Sequence, residues 1–248
     1  MSKLSIQASF VDAAIAANEE IYKALEGGFD PSWFEKTEQG AGGDISAKLD
    51  LMAEAVFVKH LSAFGQIESE ESGLIGEDRI RIILDPIDGS SNALSFFPYF
   101  GTSVARMNAE GIVDAAVVCN LANSDLFVRT EETTLQGKLF DSEYHIPHTV
   151  PAAEVGLFEK AYEHPQLVQA LKEEKLKFRS PGAIALSLAY AHSVSYVLFV
   201  GKYRIYDFAA GLALCRGLEV IVEEDYVIVS KEKRIAEKIK KLMLAIEE

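Results

Sequence analysis

Cysteine is scarce in this 248-residue chain: Cys119 and Cys215 stand far apart, both in apolar surroundings. No C-x-x-C or similar ligand spacing occurs. That excludes a disulfide framework and a thiolate zinc site, and leaves two buried free thiols suited to a reducing cytosol. Positive charge is also short. Against 38 Asp and Glu there are 24 Lys and Arg, giving a formal net charge of -14 and a pI of about 4.9. Such a surface repels nucleic acid and anionic lipid, so both are set aside as general partners. Acidity also serves plain solubility, so where the carboxylates sit matters more than their sum. Long apolar runs are missing too. Each is too short and too interrupted to span a bilayer. The opening MSKLSIQASFVDAAIAANEE turns polar too early for the apolar core of a signal peptide. The expectation is a cytoplasmic protein without membrane contact, with no internal repeat and no low-complexity segment.

What is present is ordinary globular composition, 49% hydrophobic and 25% charged, enough to bury a sizeable core. Residues 6–25 place Phe10, Ala13, Ala14, Ala17, Ile21 and Leu25 at helical spacing. The polar, glycine-rich 29–44 reads as a mobile loop. A second helix over 46–64 would bury Leu49, Ala53, Val56 and Leu61. Strand-like runs follow at 79–85, 102–108, 112–119 and 124–130. Beyond about residue 149 the pattern changes. Helices over 154–174, 183–192, 209–216 and 231–246 alternate with short strands at 176–180, 195–200, 218–224 and 226–230, an α/β rhythm. A soft boundary near Pro151 divides residues 1–150, an α+β half carrying the acidic motifs, from residues 151–248, an α/β half. A site between them would suit a small molecule.

The strongest chemical signal is ILDPIDGSSN, residues 83–92. A strand delivers Asp85 at its end, Pro86 stiffens the chain, and Asp88 follows three residues on. Gly89 permits a tight turn and Ser90 can start a helix. Two carboxylates and the Ile87 carbonyl can then converge on hard divalent cations, which prefer oxygen ligands. The Gly89 and Ser90 amides at a helix N-terminus can hold a phosphate. Turns and caps favour the same residue types, so it is the whole string that points to chemistry. An EF-hand is excluded, because its third and fifth positions would be Ile87 and Gly89. The D-x-x-D spacing also differs from the D-x-D of phosphatases that form an aspartyl phosphate.

Three weaker segments accompany it. QIESEESG, residues 66–73, ends a short strand in Glu70 and Glu71, whose repulsion in a cleft a metal would offset. A solvated acidic loop has the same pattern. GGDISAKLDLMAE, residues 42–54, offers Asp44 or Ser46 as a helix cap and sets Asp50 and Glu54 on one face, as a surface helix also would. RIYDFAAGLALCRGLEV, residues 204–220, opens an apolar helix with Asp207, where an N-cap is the ordinary role.

In chain order, G-D-x-S-x-K-x-D-x-x-A-E, S-E-E, D-P-I-D-G-S-x-N, R-S-x-G and Y-D-x-A-A-G resemble the inositol monophosphatase family, which is related to bacterial and archaeal fructose-1,6-bisphosphatases. The resemblance runs from about residue 5 to residue 222. It implies a layered αβαβα sandwich of the sugar-phosphatase type, in α+β / α/β terms, with a helix pair on a large, mostly antiparallel sheet. It implies a homodimer and a Mg2+-dependent phosphomonoesterase acting on a small phosphorylated polyol or sugar by direct attack of water. Two or three Mg2+ ions would be held by Glu70, Asp85, the Ile87 carbonyl, Asp88 and Asp207. Glu70, Ser90 and Asp50 would carry catalysis. Asp88, Gly89, Ser90, Gly182, Ala183 and Asp207 would contact substrate. The sequence departs from the family at Ala93 and Tyr206, usually aromatic and tryptophan. Near Val200, inositol-specific members often carry a glutamate. The stretch 130–151 is short and lacks the W-x-G-x-G-A-type hairpin motif. Two other readings stay open: a fructose-1,6-bisphosphatase-type sugar phosphatase, and a non-catalytic protein that binds a phosphometabolite or a partner on this scaffold.

Overall fold

The computed structural model describes residues 3–28, 30–43 and 45–247. The chain opens with helix α1 (Lys3–Glu26). A 3-10 turn at Pro31–Phe34 leads into a small hairpin of β1 (Lys36–Gln39) and β2 (Ile45–Ala47), and α2 (Lys48–Leu61) follows. Next come β3 (Gln66–Ser69), β4 (Gly73–Ile75), β5 (Arg81–Asp88), the short α3 (Ser90–Leu94), β6 (Gly101–Met107), β7 (Val113–Asn120), β8 (Asp125–Thr130) and β9 (Thr134–Lys138). The remainder is β10 (Val155–Glu159), α4 (Pro165–Glu173), β11 (Lys177–Arg179), α5 (Ile184–Ala189), β12 (Tyr196–Val200), α6 (Ile205–Leu214), β13 (Glu219–Val222), β14 (Tyr226–Ser230) and α7 (Lys233–Glu247).

Two sheets organise these elements. A seven-stranded sheet runs β4-β3-β5-β6-β7-β8-β9, antiparallel except where β3 lies parallel to β5. A five-stranded sheet runs β11-β10-β12-β14-β13. The period-2 alternation of side chains sorts each strand between two faces. Ile82 and Leu84 of β5 join Phe10, Ala14, Ala17 and Ile21 of α1 and Leu49, Ala53, Phe57 and Leu61 of α2. Ile83, between them, points the other way and packs on Leu186 and Ala189 of α5 and Ala209, Ala210 and Leu214 of α6. The opposite side of α5 and α6 meets Leu157, Val197, Phe199, Val227 and Val229 of the smaller sheet. Phe158, Tyr196, Leu198 and Ile228, on that sheet's outer face, are covered by α4 and α7. The layers are therefore α, β, α, β, α, as the resemblance implies. Because each sheet is covered on both sides, strands such as Arg81–Asp88 and Val113–Asn120 are buried almost throughout. Burying each large side chain there contributes on the order of 1.5–3 kcal/mol.

Some expectations need correction. Residues 155–159 form the strand β10, parallel to β11 and β12, and not the first turns of a 154–174 helix. A short apolar run fits either period. Tertiary contact decides here, since the Tyr196 ring lies against Gly156, and Pro165 then opens α4 at its first turn. The 29–44 segment contains the 3-10 turn and the β1 strand. Helix α6 starts at Ile205 rather than 209, and α2 at Lys48. The backbone of α1 spans the predicted 6–25. Cys119 and Cys215 are buried free thiols. Among the described residues no helix is long and apolar enough to cross a membrane.

The β5–β6 pairing shifts register between Asp85 and Asp88. Pro86 sits inside that shift, where its missing N–H costs no ladder bond. Beyond it Asp88 pairs with Gly101, which pairs in turn with Asn120 of β7. A Cβ on Gly101 would lie 2.1 Å from the Cys119 carbonyl oxygen, a contact no side chain tolerates. We expect Gly101→Ala to lose about 1–3 kcal/mol of stability in urea unfolding. A wild-type unfolding midpoint would show that this strand spacing is slack.

Candidate active site

The parallel pairing of β3 with β5 sets Ser69 beside Leu84, so Glu70, just past the end of β3, comes level with Asp85, which stays in β5 opposite Ser103 of β6. The Glu70 amide donates to the Leu84 carbonyl at 3.0 Å, which fixes that register. From the middle layer, α6 brings Asp207 to the same point in its first turn. One carboxylate oxygen from each of Glu70, Asp85 and Asp207 lies within 4.8 Å of the other two. Asp207 is the third residue of α6 and not its N-cap, which is Arg204.

Around this trio opens a cleft of about 700 Å³ between the two sheets. Glu70, Asp85, Ile87, Asp88, Gly89, Ser90, Gly182 and Asp207 all line it. Gly89 adopts φ +88° at the N-terminus of α3 and is packed against Ala183, Gly182 and Tyr99, so both conformation and space call for glycine there. Asp88 stands outside the close trio, and its Oδ2 accepts the Leu186 amide of α5 at 2.8 Å. Asp50 is buried behind the wall and joins the site through the Ser90 hydroxyl, which donates to it. The Ser90 Oγ also lies 2.9 Å from the Ile87 carbonyl oxygen. Asp50 Oδ2 accepts the Ala47 amide at 2.8 Å, so the start of α2 is capped from within the helix and not by Ser46. Asp44 lies outside the described residues. Ala183 is buried behind Gly89 and does not reach the cleft. Glu54 accepts the Ser72 amide at 3.0 Å, a structural tie.

Burial drives the electrostatics. It pushes the Asp85 carboxyl well above the usual carboxylate range, and repulsion from Glu70, Asp88, Asp207 and Asp50 adds to the effect. Asp88 is raised well above its ordinary value, chiefly by burial, and Asp50 is raised for the same reason. Crowded, desolvated carboxylates of this kind demand compensating positive charge. An all-oxygen donor set suits a hard divalent cation such as Mg2+. The residues present therefore fit the group that the resemblance implies.

Several lining residues escaped the sequence reading. Arg204 pairs with both Glu70 and Asp207. Lys36, Lys160 and Tyr162 line the outer wall. Asn92, the last letter of D-P-I-D-G-S-x-N, donates to the Tyr99 and Pro181 carbonyls at 2.7 Å each, stitching the two halves of the cleft together. The motif contained that signal without revealing the partner. Glu159, at the end of β10, accepts the Gly182 amide at 2.8 Å and the Ser187 hydroxyl, and so sets the 180–183 loop. Nothing in its local sequence marks it. Val200 lines a separate small pocket with His164, Pro165 and Met243, away from the cleft.

Fold and cleft together define a layered α/β protein with a carboxylate-rich site at the junction of its sheets. Comparison with known proteins makes this specific. The profile of the inositol monophosphatase family matches residues 6–224, and the chain belongs to that family. The Nus factor SuhB of Xylella fastidiosa is 32% identical over 70% of this chain, and the match spans 66% of that protein, just under two thirds of its length. The fructose-1,6-bisphosphatase/inositol-1-monophosphatase of Methanothermobacter thermautotrophicus is 30% identical over 80% of this chain and 75% of its own. Among solved structures, the Thermotoga maritima IMPase superposes with a TM-score of 0.77 at 22% identity, covering 96% of this chain and 98% of that one. At that identity the likeness speaks for the fold.

Glu159 yields a prediction with a defined sign. Burial raises its carboxyl above its ordinary value of 4.5. The folded state therefore keeps this proton longer than the unfolded chain. The resulting stability is fully present below the unfolded value and is lost as pH rises through the folded one. Glu159→Gln keeps the hydrogen-bonding positions without the charge. We expect the variant to match wild type at about pH 4.5 and to exceed it at about pH 8 in urea unfolding. A variant weaker at the higher pH would show that the loop needs the ionised form.

Proposed function

We propose that the protein is a Mg2+-dependent phosphomonoesterase that hydrolyses a small phosphorylated polyol or sugar. The observation that carries the reading is the convergence of Glu70, Asp85 and Asp207 beside the Ser90–Asp50 pair on one polar cleft. Two or three Mg2+ ions, held by Glu70, Asp85, the Ile87 carbonyl, Asp88 and Asp207, would supply Lewis-acid polarisation and neutralise the dianionic phosphate. Without such cations the cleft would repel its substrate. Ser90, with its hydroxyl held by Asp50, orients the attacking water. Glu70 takes its proton, and Asp50, reached through the Ser90 hydroxyl, is the second carboxylate assigned to catalysis. The amides of Gly89 and Ser90 hold the phosphate oxygens, and the loop at Gly182 contacts the polyol. Asp88 and Asp207 flank the same substrate. A cytoplasmic homodimer follows the family's precedent and belongs to this proposal.

A second reading, a fructose-1,6-bisphosphatase-type sugar phosphatase, draws support from the cleft wall. Lys36 and Lys160 stand there, suited to a second anionic group. The position near Val200, where inositol-specific relatives often carry a glutamate, faces away. The deciding experiment measures Mg2+-dependent phosphate release from a panel of inositol monophosphates, sugar monophosphates and sugar bisphosphates. No release from any of them would favour a non-catalytic, partner-binding protein, a reading in line with the Nus-factor name of the SuhB relative.

Two substitutions test the assigned roles. Ser90→Ala keeps its amide but loses the water-orienting hydroxyl. It should lower kcat by about 10²-fold or more with little change in KM. Ser90→Thr should stay active. Full kcat in Ser90→Ala would reduce the hydroxyl to a helix-start hydrogen bond. Asp88→Asn should nearly abolish turnover while its circular dichroism and melting stay native, because shape is kept and a ligand charge is lost. Substantial remaining turnover would contradict its role.

A further inference from the structure

Arg204 precedes α6 in extended backbone, φ -121° and ψ 130°, as the N-cap residue of the helix that carries Asp207. Its guanidinium forks onto that carboxylate, with Nε 2.8 Å from Oδ2 and Nη2 3.0 Å from Oδ1. Nη1 lies 2.9 Å from Glu70 Oε1 and 3.3 Å from the Gly42 carbonyl oxygen. The partners are well shielded, with Glu70 and Asp207 side chains 11% and 6% exposed. A delocalised cation with rigid donor geometry thus grips two of the three close-set carboxylates and engages both oxygens of Asp207. A divalent cation held by the same carboxylates needs the same lone pairs, and a second positive charge beside the guanidinium is repelled.

We infer that Arg204 is a built-in counter-ion that competes with the divalent cation for Glu70 and Asp207. This rests on the metal-centre reading given above. The guanidinium keeps the carboxylate trio compatible with a folded chain at low metal, and loading the centre requires it to leave at least one partner. Leaving Glu70 also frees its hydrogen bond to Gly42. The 40–43 loop is otherwise tied to the β3 end by Ala41 N–H to the Glu71 carbonyl and by Gly42 N–H to the Glu70 carbonyl, at 2.9 and 2.6 Å. Arg204 is therefore a positioning residue that sets how tightly the site takes its cation and how firmly this loop is closed. It takes no part in the reaction itself.

The test is Mn2+ binding to the full-length chain, read by calorimetry and by electron paramagnetic resonance, in wild type, Arg204→Gln and Arg204→Lys. Removing the charge should tighten Mn2+ binding by about tenfold or more, the scale of one neighbouring charge. Arg204→Lys, which keeps the charge but loses the fork, should fall between. In EDTA, Arg204→Gln should melt below wild type, and added Mn2+ should close the gap. If Arg204→Gln does not fold without metal, Arg204→Lys against wild type carries the comparison. Binding equal to or weaker than wild type in the variants would overturn the proposal while leaving the metal centre standing. Failure of all three proteins to bind Mn2+ would overturn the metal-centre reading itself, and this inference with it.

Discussion

Three carboxylates brought within 4.8 Å of one another, largely out of water, repel each other, and much around them is arranged to make that tolerable. The parallel β3–β5 pair sets Glu70 level with Asp85, because the register that aligns Ser69 with Leu84 carries on to the next residue of each chain segment. The register shift at Pro86 then turns the chain so that Asp88, Gly89 and Ser90 follow along the rim. Arg204 answers part of the charge from within the chain. The rest is a charge demand that a hard cation would meet.

The cleft belongs to neither sheet alone. Asp88 at the end of β5 accepts the Leu186 amide of α5, in the middle layer. Glu159 at the end of β10 holds the loop that passes behind Gly89, and Asn92 ties α3 to that loop. Each of these bonds joins segments far apart in the chain. The small residues of α6 let that layer lie close. Gly211 lies against Leu188 of α5, and the alanines at 209 and 210 face the larger sheet.

Much of this was legible in the sequence because the chemistry is local. ILDPIDGSSN supplies a strand end, a bulge-tolerant proline, a left-handed glycine and a helix start within ten residues. The order of the five acidic and glycine motifs identified the family, and the layered fold followed. Other features were opaque for physical reasons. Val155–Glu159 is a short apolar run whose identity depends on the sheet that receives it. Arg204 is three residues from Asp207, an ordinary surface spacing, and only the packing of α6 against the β3 end turns it inward. Ala183 was expected beside the substrate, yet a single residue's step from Gly182 moves its side chain from the cleft into the core. Glu159 sits in a strand that was read as helix, so its orientation had no basis in the pattern.

Glu70 and Asp85 stand 15 positions apart (85 − 70), and Asp207 follows 122 positions after Asp85 (207 − 85). In the unfolded polypeptide these groups are hydrated and distant, and their repulsion is screened away within about a Debye length, roughly 8–10 Å at ordinary ionic strength. It comes into force only when β3, β5 and α6 dock together. Local hairpins and helix contacts can thus form before the charge problem arises. A cation that relieved that problem would act on the finished assembly, and the barrier it would change most is the one to coming apart.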